Sequence, residues 1–283
     1  MSSKKLKVIA LIPPPDEVVD VPLAQDFAAC ESELGLALPA DFKQLLSTYG
    51  KGSFLDYLFA YPLAGSDMSL QKNKLLREGH SAARAKSPEN YPYPLYPEPG
   101  GLLLWGGTYD GHSLCWLTSG APDEWPVVVW HQRDSNYHLF RRGALAFIID
   151  WLEGALPPHA LPAPPPGAGW FESARRLREA YMYLDGGLGN FRDRVRLLHQ
   201  AFGPVQARGS CTGEGDYDHE EHFSTAQNWR ITYSEWPRGR LIRIAFPPGE
   251  ESAARAAVMS VYPKLGHTLR HVQTAQGRHV WTD

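Results

Sequence analysis

The side chains best suited to metal chemistry lie late in the chain. Cys211, His219 and His222 fall within twelve residues, and a thiolate with two imidazoles is a ligand set that zinc accepts. A fourth ligand would have to come from Asp216, Asp218, Glu220 or Glu221, and the spacing follows no zinc-binding pattern. A metal-dependent enzyme in the C-terminal part is one reading of these residues, and it predicts bound zinc in the purified protein.

Other chemistries find less support. Ser210-Cys211 lacks a nucleophile motif, and Asp110 beside His112 is too common a pairing to mean catalysis. Neither GxGxxG nor GxxxxGK[ST] occurs, so nucleotide binding through those loops is unsupported. The turn Gly186-Gly187-Leu188-Gly189-Asn190 precedes a helix and could hold an anion on backbone amides, although a plain helix–helix turn is the favoured reading. His199, and the histidines from His267 to His279, are scattered singly and read as surface or structural groups. No cluster reads as catalytic and no cofactor is implied.

Binding is better supported than catalysis. Nine Trp and thirteen Tyr exceed what cores of this size need, and such residues concentrate in interface hot spots. Glu214, Asp216, Asp218, Glu220 and Glu221 fall within eight residues free of Lys and Arg, which predicts an exposed acidic loop able to steer a basic protein. A second acidic group, Asp123-Glu124 beside Trp125, would act with Tyr109 and Asp110 as a further contact. A solvated loop that keeps the protein soluble is the plainer reading of both.

Composition narrows the class. Hydrophobic residues at 43% and charged residues at 21% describe a folded protein and exclude disorder. Residues 1–156 carry 13 Lys+Arg against 18 Asp+Glu, and residues 157–283 carry 15 against 13, so neither part has the basic excess of a general nucleic-acid binder. The arginines near the start of the second part read as solvated helix faces. Cys30, Cys115 and Cys211 are odd in number and far apart, which implies neither a disulfide framework nor a zinc ribbon. No stretch reaches the ~20 apolar residues of a membrane span, and the apolar N-terminal run is too short for a signal-peptide core. A cytoplasmic protein is expected.

The elements that position these residues follow from periodicity. Leu6–Ile12 is expected as a short strand. Phe27, Cys30 and Leu34 after Pro22, then Phe42, Leu45, Leu46 and Tyr49 after Pro39, mark two helices closed by Gly35 and Gly50. An aromatic strand over residues 52–63, a helix over 66–87 and a tyrosine-pinned loop over 88–101 come next. Strands are expected at 102–105, 112–117 and 126–130, then a helix presenting Leu145, Ile148, Ile149 and Leu152 on one face. Beyond a proline-rich stretch, helices are expected over 170–184 and 191–202, carrying Arg175, Arg176, Arg178, Arg192, Arg194 and Arg196 outward. A hairpin turning at 236–240, a helix over 250–262 and strands at 268–274 and 279–281 complete the chain.

One combination resembles a known family. The opening LGLALPADFKQLLSTYGKGSF, the later Asp110-Gly111, the run LCWLTSGAPDEWPVVVW and a closing helix through Trp151-Leu152 are similar to the SUKH superfamily, over roughly residues 22–156. That family includes bacterial immunity proteins and a fungal cell-wall regulator. The resemblance implies helices around a curved antiparallel sheet, no shared catalytic residue, and binding of a co-encoded toxin, often a nuclease. It also implies turn roles for Gly50, Gly52 and Gly111 and core roles for Trp116, Trp125 and Trp151.

The expectation is thus an α+β protein: a SUKH-like domain at 1–155, a proline-rich linker at 156–169, and a small α+β domain at 170–283. The leading function is a non-enzymatic immunity protein that neutralises a protein toxin, with no direct nucleic-acid or membrane partner. A regulatory scaffold joining two protein partners is the alternative.

Overall fold

A computed structural model describes residues 3–15, 18–61, 67–164, 169–174, 177–212, 219–237 and 239–281. Within them the chain is α+β, with seven α-helices and two antiparallel sheets. It divides into two compact units, one comprising residues 1–164 with 170–174 and the other 165–169 with 175–283.

The first unit opens with α1 (Ser3–Leu11), α2 (Ala24–Leu34) and α3 (Ala40–Tyr49). Leu6–Ile12, expected as a strand, is therefore mostly helix. Val8 and Ile12, four residues apart, are both buried, and Tyr49 donates its hydroxyl to Ile12 O at 2.6 Å, so the helical period wins once α1 has a surface to pack on. The hairpin β1 (Gly52–Phe54) and β2 (Leu58–Ala60) replaces the single aromatic strand expected there. Leu55 and Asp56, both at φ 55°, make its turn, and Tyr57 N closes it on Phe54 O at 3.0 Å. After α4 (Asp67–Lys86) come β3 (Leu102–Thr108), β4 (Ser113–Leu117), β5 (Val127–His131), β6 (Asn136–Phe140) and α5 (Ala144–Leu152). With β7 (Phe171–Ser173) they form a sheet ordered β6-β5-β4-β3-β2-β1-β7.

Both faces of this sheet are covered, which is why β3, β4 and β5 read as unbroken apolar runs. On one face Trp105 and Trp116 meet Phe42 of α3, with ring centroids 5.7 and 4.8 Å away, and Trp105 meets Phe147 of α5. On the other, Leu102, Leu104, Cys115, Val128 and Trp130 pack beneath Leu76 of α4 and Tyr91 and Tyr93 of the tyrosine loop. A bulge separates the Leu104–Cys115 and Gly106–Leu114 pairs, and beside it Asn73 of α4 takes both backbone groups of Leu104: its Nδ2 donates to Leu104 O at 3.1 Å and its Oδ1 accepts from Leu104 N at 2.9 Å.

The proline-rich stretch begins as part of this unit. Leu156, Ala160 and Leu161 are buried, and Trp151 Nε1 donates to Pro162 O at 2.9 Å.

The second unit contains β8 (Arg178–Gly186), α6 (Phe191–Phe202), β9 (Val205–Thr212), β10 (His219–Thr225), β11 (Arg230–Trp236), β12 (Gly239–Phe246), α7 (Glu251–Val261) and β13 (His267–Gln273). Its sheet runs β13-β8-β12-β11-β10-β9. Met182, Leu184, Ile231, Tyr233, Ile242 and Ile244 point to one face, where Leu198 of α6 and Val258 of α7 complete the core. The helix expected over 170–184 is instead β7 and β8. Ala180, Met182 and Leu184 alternate with half-buried Tyr181 and Tyr183, and this period of two prevails over steps of three and four in the same residues.

Candidate functional site

Three turns lie along one end of the first sheet. The pairing of Leu58 with Thr108, and of Ser113 with Trp130, places the β1–β2, β3–β4 and β5–β6 turns side by side, each carrying one aspartate: Asp56, Asp110 and Asp134. The β3–β4 turn is held from beneath. Tyr109 N donates to Tyr57 O at 2.8 Å, and Tyr57 donates its hydroxyl to Asp110 Oδ2 at 2.9 Å while its ring stacks on Trp151. Burial, then the bond to Asp110, pushes the Tyr57 phenol up, so it stays a donor. Gly111 sits at φ 85°, a conformation that side chains resist, and its N–H closes on Thr108 O at 3.0 Å. Tyr109, 77% exposed, is left projecting from a fixed turn.

Beside this turn, on the α4 side of the sheet, is a cleft of about 410 Å³. Leu75, Leu76 and Leu104 line one side, and Tyr61, Thr108, His112, Ser113 and Gln132 contribute polar groups. His112 also begins a row of imidazoles: its ring lies 3.9 Å from that of His131, which lies 4.9 Å from His138, which lies 5.1 Å from His159. Burial, then the neighbouring His131, holds His112 and His138 below the ordinary histidine value. His131 Nε2 lies 2.8 Å from Ala160 O, which ties the start of the proline-rich stretch to the sheet.

The second acidic group is elsewhere. Asp123, Glu124 and Trp125 lie between β4 and β5, at the opposite end of β4 from Tyr109 and Asp110, so the structure does not bring these five residues together. Asp123 Oδ1 accepts from Ala40 N at 2.6 Å and so caps α3. Trp125 is 3% exposed and donates Nε1 to Gly120 O at 3.2 Å, which makes it core.

The acidic run of the second unit is also rearranged. Asp216 and Asp218 lie outside the described residues, whereas Glu220 and Glu221 belong to β10 and not to a loop. Glu220 is held below the usual carboxylate value, first by its hydrogen bond with His222, and it also accepts from Ser234 Oγ at 2.9 Å. Glu221 lies 3.4 Å from His199. Within β10, His219 stacks on Phe191 of α6 while His222 shares the opposite face with Glu220, so the two imidazoles weighed as zinc ligands are split across the sheet.

Sequence reasoning missed the polar centre of the second unit. Arg194, expected on a solvated face, is 5% exposed; it reaches Glu235 and Tyr233, and Tyr233 in turn lies 2.8 Å from His267 Nε2. Arg194 Nη1 donates to Leu188 O and Gly189 O, so this glycine turn offers carbonyls and not an anion site. Asn190 caps α6 by accepting from Asp193 N at 2.9 Å. The available signal was helical phase, since Arg194 falls on the face of Leu198.

The comparison with families decides the first unit. The family model described as SMI1-KNR4 cell-wall, a SUKH family, matches residues 24–148. These residues form a SUKH superfamily domain. The SUKH domain spans α2 into α5 and contains the three turns, the cleft, Asp123 and Trp125; the second unit lies beyond the match. No curated protein and no solved structure was found to match the chain. No described helix is long and apolar enough to cross a membrane.

Proposed function

We propose that this is a non-enzymatic, cytoplasmic immunity protein whose SUKH domain binds and neutralises a co-encoded protein toxin. The observation that carries the reading is the family match over residues 24–148, because the family is associated with toxin immunity. The end of the sheet bearing Tyr109 supports it, with an exposed aromatic on a braced turn and three aspartates suited to a basic, nuclease-like partner. Co-expression with the product of a neighbouring toxin-like gene tests it. Growth should be restored by the full chain, and continued killing at matched expression would refute the proposal.

A scaffold role is the second reading. It is favoured by one observation: the second unit has a core of its own outside the family match. A partner retained by the full chain after Tyr109→Ala and Asp110→Asn have abolished toxin binding would support it.

A further inference from the structure

The cleft beside the β3–β4 turn combines an apolar side with hydrogen-bonding capacity left over. Leu75, 60% exposed, stands at its lip, with Leu76 and Leu104 beside it. Ser113 is 5% exposed, and its one side-chain bond among the described residues is accepted from Gln132 Nε2 at 2.6 Å. The Ser113 hydroxyl proton is therefore left for an acceptor, and the Gln132 side-chain carbonyl is left for a donor. No Lys, Arg, Asp or Glu is among the described lining residues, so none of them offers an entering ion a counter-charge. A purely aliphatic group would leave the proton of the buried hydroxyl without an acceptor. The complementary group has an apolar ring and one oxygen that both donates and accepts.

We propose that the cleft receives a tyrosine side chain of the bound protein, its ring against the leucines and its hydroxyl between Ser113 and Gln132. This rests on the binding role above and names what that partner presents. The volume of about 410 Å³ lies within the range of roughly 300–1,000 Å³ usual for ligand sites. Tyr109 on the adjoining turn extends the same contact beyond the cleft.

Titrating the full chain with N-acetyl-tyrosinamide and following amide chemical shifts by nuclear magnetic resonance tests this without any toxin. Saturable shifts should cluster at Leu75, Leu104, Gly111, Ser113 and Gln132. N-acetyl-phenylalaninamide should bind about tenfold more weakly, the factor that one net hydrogen bond supplies. Ser113→Ala removes the bond from Ser113 to the ligand hydroxyl and leaves the one to Gln132, so it should narrow the gap between the two ligands without closing it. Leu75→Trp, at an exposed position tolerant of change, should fill the entrance and abolish the shifts. Equal affinity for the two ligands in the unsubstituted protein would overturn the proposal, as would absent or scattered shifts or shifts that survive Leu75→Trp. Adenosine displacing N-acetyl-tyrosinamide from these residues would overturn it in favour of a free small molecule. An empty cleft in a chain that still rescues growth would reject the tyrosine alone, whereas tyrosine binding without rescue would reject the toxin.

Discussion

Arg194 grips the Glu235 carboxylate with Nε 2.5 Å from Oε1 and Nη2 2.7 Å from Oε2, and both residues are more than nine-tenths buried. Burial opposes ionisation of either group, yet the mutual hydrogen bonds hold Glu235 low and Arg194 high. The pair stays charged because each residue is the other's solvent. Removing one partner strands the other, so Arg194→Met or Glu235→Gln should cost about 3–5 kcal/mol. Urea unfolding of the single variants and the double variant checks this, the double being expected to lose less than the two singles combined.

Asn73 should behave as a clamp. Asn73→Ala removes both bonds to the Leu104 backbone at the bulge, and a loss of about 1–3 kcal/mol is expected for buried peptide groups left unpaired. Thermal unfolding measures it, and Asn73→Asp should restore at most the bond to Leu104 N.

Asp123 and Tyr109 separate stability from binding. Asp123→Ala should cost about 1 kcal/mol through loss of the α3 cap while leaving partner association unchanged. Tyr109→Ala should leave the unfolding midpoint in place and weaken partner binding by about tenfold or more, as expected of an exposed aromatic anchor. Unfolding and binding measured on the same two samples check both.

The row of histidines predicts a pH dependence. His112 and His138 are held below the ordinary 6.5, so the unfolded chain takes up protons first as the pH falls. Their contribution is complete above 6.5 and declines as the pH drops through that value toward the lowered folded-state values. Asp110 and Asp134 face the row and oppose the shift, while Arg133 and the other imidazoles reinforce it. The midpoint of the first unit should fall between pH 7.5 and 5.5, and His138→Gln should flatten that slope; an unchanged slope would rule out this role.

Much of the SUKH domain was legible because its signals are local. Pro39 and Gly50 punctuate α3, and a sheet buried on both faces turns β3, β4 and β5 into apolar runs. Residues with two admissible periods were harder. Val8 and Ile12 fit a helix or a strand until a packing surface is supplied, and Tyr181 to Leu184 likewise. The site was legible only as parts. Tyr109 and Asp110 stand out in sequence, but that Asp123 caps α3 across 83 residues, or that Arg194 meets Glu235 across 41, depends on chain return that no local pattern encodes.

The proposed function requires the full chain to neutralise a toxin by binding it. Titrating the purified chain into the purified product of the neighbouring toxin-like gene, while following the toxin's own activity, tests it most directly. Toxin activity should fall to background at equimolar protein, and Tyr109→Ala should shift the curve to higher concentration. Undiminished toxin activity at a large excess of folded chain would contradict it.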